Sequence, residues 1–154
     1  MIMNLIIQSA TENDIDTIKK LLDDNNLPTT DIHQDNIQLF TGLIDNKIVG
    51  VIGLEKYKNV GLLRSLAVND LYKNQRVGTR LTRQIFDLCA SDNIDKLYLL
   101  TTTAEKYFDK FGFVKIDRIE APDAIKQTRE FKDICPISAV VMYKKLNNDK
   151  KPSP

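Results

Sequence analysis

The sequence has few of the residues that build disulfide frameworks or metal sites. Its 154 residues include two cysteines, Cys89 and Cys135, and one histidine, His33. Two cysteines make no disulfide framework, and together with one histidine they do not show the spacing of metal ligands. We therefore expect no bound metal, Cys89 in the core on one face of a helix, and His33 on the surface or in a loop.

Net charge and long apolar runs are also scarce. The 22 basic and 21 acidic side chains leave a formal charge of +1, without the basic excess of a general nucleic-acid or membrane-surface binder. The apolar start at residues 1–7 is too short to span a membrane, and no basic region precedes it as in a signal peptide. We expect a cytoplasmic protein with neither nucleic acid nor a membrane as partner; a homodimer stays open.

The length of the chain suits one domain. A chain of 154 residues can bury roughly two thirds of its unfolded surface, which is enough for a core. The last eight residues, 147–154, are polar, carry lysines and end in proline, as is typical of a frayed tail. We therefore predict a single domain over 1–146 and a flexible tail over 147–154.

Repeating patterns of apolar residues predict an α/β fold. Strands are predicted at 5–9, 38–44, 48–54, 62–68, 97–100, 114–116 and 139–143. Helices are predicted at about 15–25, 77–92, 104–110 and 121–131. The polar segment 27–37 lacks periodicity, which predicts either a loop or a weak helix.

The rest of the chain is organised around the stretch 61–92. There an apolar strand leads into a short basic loop, and an amphipathic helix follows from Val77. The free amides at a helix start carry the positive end of the helix dipole and bind phosphate groups. Gly78 lets the backbone come close to such a group. The alternative is an ordinary turn between a strand and a helix.

The loop from Lys73 to Gly78 resembles a motif of the GNAT family of N-acetyltransferases. That motif, Arg/Gln-x-x-Gly-x-Gly/Ala, holds the pyrophosphate of acetyl-coenzyme A (acetyl-CoA). Lys73 replaces the usual Arg or Gln, and Arg76 stands where the first glycine normally is. The backbone at Arg76 must therefore avoid positive φ or accept it at some cost. A second block, a strand at 97–100 followed by a helix and Phe111-Gly112-Phe113, is similar to the same family.

The resemblance implies a fold, a cosubstrate and a binding site. The fold is a mixed, twisted sheet of six to seven strands, flanked by about four helices, whose fourth and fifth strands splay apart. The cosubstrate is acetyl-CoA, and the acceptor is an amine. The implied cofactor-binding residues are Leu66, Ala67, Val68, Lys73, Gln75, Arg76, Val77, Gly78, Thr79 and Phe108.

Acetyl transfer to an amine needs a base, because free amines are mostly protonated at neutral pH. Glu55, at the end of the strand 48–54, is the candidate; an exposed glutamate at a strand end is the alternative. In the family a tyrosine often protonates the thiolate of coenzyme A (CoA), and Phe108 occupies that position here. Either Tyr107, one residue earlier, reaches the sulfur, or the thiolate leaves without this acid while Phe108 packs on the pantetheine arm.

Two arginines are candidates for binding an acidic group of the acceptor. Arg64, followed by Ser65, lies in the central strand, and arginine is seldom buried without an anion. It either faces solvent at an edge or clamps a carboxylate or oxyanion. Arg129 is the second candidate, with a surface ion pair as the default. Asp31 and His33 are weaker candidates for substrate contact, since a solvated loop accounts better for both.

A narrower resemblance is to the arsenic-resistance branch of the GNAT family. The blocks that carry it are Leu63-Arg64-Ser65-Leu66-Ala67-Val68, Leu99-Leu100-Thr101-Thr102-Thr103-Ala104-Glu105, Thr128-Arg129-Glu130-Phe131 and Cys135-Pro136-Ile137-Ser138-Ala139. The branch implies acetylation of a small amino acid or analogue, in arsenic or antimetabolite resistance. Two other functions stay open: acetylation of a protein or peptide amine, and non-catalytic binding of acyl-CoA.

Overall fold

The computed structural model describes residues 4–73, 75–134 and 139–146. Its strands and main helices, in chain order, are β1 (Ile6–Ser9), α1 (Ile15–Asp24), β2 (Ile37–Ile44), β3 (Lys47–Tyr57), β4 (Val60–Val68), α2 (Val77–Ser91), β5 (Lys96–Thr101), α3 (Glu105–Asp109), β6 (Val114–Ile116), α4 (Asp123–Lys126) and β7 (Val140–Lys145). The predicted tail at 147–154, the start at 1–3 and the block from Cys135 to Ser138 lie outside the described residues.

The strands form one seven-stranded mixed sheet in the order β1-β2-β3-β4-β5-β7-β6. Strands β4 and β5 are parallel, whereas β1 with β2, β2 with β3, β5 with β7 and β6 with β7 are antiparallel. The predicted mixed sheet is therefore confirmed. The segment between α1 and β2 contains turns and no helix, so the loop alternative is the correct one there.

Pairing between β4 and β5 is short. It comprises Val60 with Lys96, Gly61 with Leu97 and Leu62 with Tyr98. Both strands continue, β4 to Val68 and β5 to Thr101, but the described residues show no further pair between them. The two strands thus stop pairing after Leu62, as predicted for splayed fourth and fifth strands.

The chain folds into two compact units. The first comprises residues 1–55 and 64–87, and the second comprises 56–63 and 88–154. In the first, Ile18, Leu21 and Leu22 form the buried face of α1 and pack with Ile32, Leu39, Val51 and Ala67. In the second, the buried cluster is Leu62, Tyr98, Ala121 and Ile125.

Two element boundaries differ from the predictions. Strand β3 extends to Tyr57, three residues beyond the predicted end at Leu54, and its ladder with β2 includes the pair Ile37–Glu55. The helix predicted at 121–131 is wrong in length. It is the short α4, followed by a separate π-helical turn at Glu130–Ile134. Between them, the Thr128 hydroxyl donates to the Ile125 carbonyl (2.8 Å) and accepts from the Phe131 amide (3.1 Å), which replaces helical hydrogen bonds.

Glycine in β3 allows α2 to pack closely. A Cβ atom at Gly50 would lie 2.9 Å from side-chain atoms of both Val77 and Leu81, the first buried residues of α2. Because such contacts are too short, only glycine permits this approach of strand and helix. The start of α2 is therefore held close to β3 within the first unit.

Candidate active site

A buried ion cluster joins three segments of the first unit. Arg64 on β4 donates to both carboxylate oxygens of Asp31: Nη1 lies 2.7 Å from Oδ2, and Nη2 lies 2.5 Å from Oδ1. The same Nη1 lies 2.8 Å from Oε1 of Glu55 on β3. None of the three side chains has exposed surface. One buried guanidinium therefore holds two buried carboxylates.

Gly53 on β3 lies beside this cluster. Gly53 and Glu55 are two residues apart on a strand, so they face the same side of the sheet. A Cβ atom at Gly53 would lie 2.8 Å from a methyl carbon of Leu39, which is too short, and 3.5 Å from Cγ of Arg64, which is an ordinary contact distance. The missing side chain at Gly53 thus leaves space for Leu39, and the aliphatic stem of Arg64 packs next to this position.

Ser65, next to Arg64, has an unusual backbone for a strand residue. Its φ is 59°, in the left-handed region that costs a non-glycine residue roughly 1–2 kcal/mol. Its side chain accepts a hydrogen bond from Nε of Arg64 at 3.2 Å. Strained residues of this kind concentrate at functional sites. The ion cluster is therefore linked directly to a local irregularity of β4.

Three interpretations from the sequence are corrected by this cluster. The solvated-loop interpretation of Asp31 is wrong, because Asp31 is buried against Arg64. The interpretations of Arg64 as solvent-facing and of Glu55 as exposed are also wrong, because both side chains are buried and form an ion pair with each other. His33 is exposed, as expected. One feature of the sequence could have indicated the role of Asp31: a buried arginine needs an anion as its partner.

The start of α2 has the geometry of an anion-binding turn. The Arg80 amide donates a hydrogen bond of 3.0 Å to the carbonyl of Arg76 in the loop, and this bond begins the helical pattern. The amides of Val77, Gly78 and Thr79 precede it and have no acceptor within the helix. Arg76 has a φ of 66°, so its backbone accepts positive φ. Lys73, Gln75 and Arg76 are exposed beside these amides.

Replacing Arg76 by glycine tests whether this turn is strained. We expect Arg76→Gly to raise the free energy of unfolding by about 0.5 kcal/mol or more, because glycine adopts positive φ without the left-handed penalty. Lys73→Gly is the matched control: Lys73 is exposed and has a φ of −63°, so glycine there should cost about 0.4–1 kcal/mol. Urea unfolding measures both. Equal losses in the two variants would show that Arg76 is not strained.

Three further predicted site residues, Tyr107, Phe108 and Arg129, belong to the second unit. Phe108 on α3 is buried, and its ring packs edge-on against Tyr107 (centroids 5.1 Å apart) and Phe113 (5.7 Å). Arg129 follows α4 and is exposed. No ion pair of Arg129 is found among the side chains that the structure describes, which exclude those of residues 133–138.

Cys89 is buried in the second unit, as predicted. Burial is the main cause that raises the pKa of its thiol to about 12; the charge of Asp92 raises it further, and Lys56 lowers it. A protonated, buried thiol is a core residue and not a nucleophile.

Two features are absent from the described part of the chain. Its histidine, cysteine and carboxylate side chains form no group with the arrangement of a metal site. None of its helices has the length and apolar character of a membrane span.

Comparison with known proteins identifies the class of protein as an acetyltransferase. The model of the acetyltransferase (GNAT) family matches residues 2–113, which is well over half of the chain. The chain therefore belongs to the acetyltransferase (GNAT) family. The predicted family is therefore confirmed, and members of this family use acetyl-CoA as the acetyl donor. The search of curated proteins found no match.

Solved structures share the fold at low sequence identity. N-acetylglutamate synthase from Neisseria gonorrhoeae, complexed with coenzyme A and L-arginine, has a TM-score of 0.78 and 20% identity over 93% of this chain. The chain spans only 33% of that synthase. Rv2747 from Mycobacterium tuberculosis, in complex with CoA, has a TM-score of 0.75 and 17% identity, covering 92% of this chain and 99% of its own. The ribosomal-protein-S18-alanine N-acetyltransferase from Escherichia coli has a TM-score of 0.70 and 14% identity, covering 92% and 94%.

Proposed function

We propose that the chain is an N-acetyltransferase that acts on the amine of a small amino acid or amino-acid analogue. The observation that carries the proposal is the turn at the start of α2. There the left-handed backbone of Arg76 stands at the family's glycine position and is followed by the amides of Val77, Gly78 and Thr79, which have no acceptor within α2. Three outward amides at the positive end of a helix dipole suit a pyrophosphate.

The cosubstrate contacts are proposed along β4 and α2. Pairing with β5 ends at Leu62, so the backbone of Leu66, Ala67 and Val68 is available to pair with the pantetheine arm as a neighbouring strand would. Lys73 and Gln75 are exposed at the loop and would approach the phosphates. Phe108 is proposed to pack on the pantetheine arm with its apolar ring.

Glu55 is proposed as the group that takes the proton from the acceptor amine. Its side chain has no exposed surface, so we propose that a water carries the proton between amine and carboxylate. Bound acetyl-CoA supplies the acetyl group as a thioester; transfer forms a C–N bond and releases CoA as its thiolate. The transfer also breaks the C–S bond of the thioester. The nitrogen then loses its second proton, which Tyr107 or solvent passes to the thiolate, and the proton on Glu55 leaves to solvent.

We expect Glu55→Gln to lower turnover by about a hundredfold, within the usual range for general acid–base catalysis. The loss should be largest at low pH, because more of the amine is protonated there and needs the base. Affinity for acetyl-CoA should not change. Steady-state rates between pH 6 and 9 measure the effect, and Glu12→Gln, an exposed glutamate of the same unit, is the control. Full turnover of Glu55→Gln across pH would remove Glu55 from this role.

Arg129 is proposed to bind the acidic group of the acceptor. Arg64 already donates to two carboxylates, whereas Arg129 is exposed. Because the guanidinium of Arg64 is already paired, Arg129 is the better candidate for this contact. Ser65 and Arg64 instead act on the conformation of β4. The resemblance to the arsenic-resistance branch supports arsinate or phosphinate amino acids as acceptors, since these also carry an anion.

We expect Arg129→Ala to raise the Michaelis constant for an amino-acid acceptor about ten- to a hundredfold, the loss of a bidentate, charge-assisted contact. The Michaelis constant for the matched amine without the acidic group should stay the same, as should turnover. Arg129→Lys keeps the charge and should give an intermediate value. If Arg129→Ala affects both acceptors equally, or neither, Arg129 does not bind the acidic group.

A further inference from the structure

We propose that Asp31 is a positioning residue, which acts through Arg64 on the left-handed backbone of Ser65 and so directs the strand segment after it. Asp31 lies in the loop between α1 and β2, 33 residues before Arg64 in the chain. It belongs to none of the segments proposed to touch acetyl-CoA. The inference rests on the proposed function in taking Leu66 to Val68 as contacts of the pantetheine arm and acetyl-CoA affinity as its readout.

The first step is the orientation of the guanidinium. Asp31 accepts hydrogen bonds from both Nη atoms of Arg64. Two such contacts fix the plane of the guanidinium, whereas one contact would let it rotate. Glu55 accepts from Nη1 at 2.8 Å. Nε is part of the same rigid plane and points to the Ser65 hydroxyl oxygen, 3.2 Å away. The two contacts of Asp31 therefore help to set the direction of that hydrogen bond.

The second step is the backbone of Ser65. A serine in the left-handed region is less stable than in a regular strand, so its conformation depends on the contacts around it. Ser65 is 6% exposed, and its hydroxyl oxygen accepts the hydrogen bond from Arg64. Five consecutive residues, Gly61 to Ser65, are buried, and partly and fully buried residues then alternate from Leu66 to Val68. An irregular residue within a strand changes the direction in which the following residues point, and we infer that Ser65 does so here.

The consequence concerns the cosubstrate. Leu66, Ala67 and Val68 follow Ser65 directly and are the proposed partners of the pantetheine arm. If the Ser65 backbone relaxes to a regular strand, the following backbone groups turn away from that arm. Losing Asp31 should therefore weaken acetyl-CoA binding even though Asp31 does not touch acetyl-CoA.

A double-mutant cycle separates this role from general support of the fold. Asp31→Asn keeps the shape of the side chain and leaves Arg64 with Glu55 as its counter-charge. We expect it to weaken acetyl-CoA binding about tenfold, measured by isothermal titration calorimetry on the full chain. Ser65→Gly adopts positive φ without help. In the Ser65→Gly protein, Asp31→Asn should therefore weaken binding by less than about threefold.

The same titration of acetyl-CoA provides a control variant and the outcomes that would overturn the inference. Asp35→Asn changes an exposed carboxylate of the same loop and should leave affinity unchanged in both backgrounds. An equal loss from Asp31→Asn in both backgrounds, or no loss in either, overturns the inference. Failure of the unmutated chain to bind acetyl-CoA would instead contradict the proposed function. Thermal unfolding followed by circular dichroism confirms that the compared variants are folded.

Discussion

Gly78→Asp is expected to abolish the binding of acetyl-CoA and leave the fold intact. Gly78 is the second residue of α2, where its amide is proposed to face the pyrophosphate. A carboxylate at this position would lie against the phosphates, and such a like-charge contact costs several kcal/mol, a loss of more than about a hundredfold in affinity. The helix itself tolerates the change, because an acidic residue in the first turn interacts favourably with the helix dipole.

Gly78→Asn is the matched control, since asparagine has nearly the same shape as aspartate and no charge. Titration calorimetry with acetyl-CoA should show a much smaller loss for Gly78→Asn than for Gly78→Asp. If both variants lose affinity equally, the backbone at Gly78 is crowded but no phosphate is near. If Gly78→Asp binds as well as the unmutated chain, the pyrophosphate site is not at the start of α2.

The largest expected loss of stability follows from removing Arg64. Arg64→Leu would leave the carboxylates of Asp31 and Glu55 buried without their counter-charge. Breaking a buried pair in this way costs about 3–5 kcal/mol, more than the intact cluster contributes, because the unpaired charges remain buried. Urea unfolding should therefore show a large decrease in the free energy of unfolding.

The same reasoning predicts recovery when the whole cluster is neutralised. A variant that combines Arg64→Leu with Asp31→Asn and Glu55→Gln has no buried charge left in the cluster, so it should be more stable than Arg64→Leu alone. Arg83→Leu, an exposed arginine on α2, should change stability by no more than about 0.5 kcal/mol. A loss for Arg64→Leu as small as that of Arg83→Leu would show that the cluster is not buried in solution.

The sequence predicted the elements whose signals are local. The order of strands and helices followed from apolar periodicity, and the turn before α2 followed from its basic residues and Gly78. What it missed depends on distant or conformational features. Asp31 meets Arg64 across 33 residues, a separation that no periodicity reveals.

Backbone conformation was the other feature hidden in the sequence. Positive φ is expected at glycine, but here it occurs at Ser65 and Arg76, where the residue type argues against it. At Arg76 the sequence left two alternatives open, and the structure decides for positive φ. At Ser65 nothing in the residue pattern indicated an irregular strand, because a serine fits a regular strand as well.

The most direct test of the central claim is the release of free thiol from acetyl-CoA on mixing with the protein and a set of amines. The set should contain free amino acids, the matched amines without the acidic group, and a short peptide. We predict that thiol is released with free amino acids, is not released without an amine, and disappears in the Gly78→Asp variant. Binding of acetyl-CoA without thiol release for any amine would contradict the claim and indicate a binding module, and release with the peptide alone would contradict the proposed acceptor.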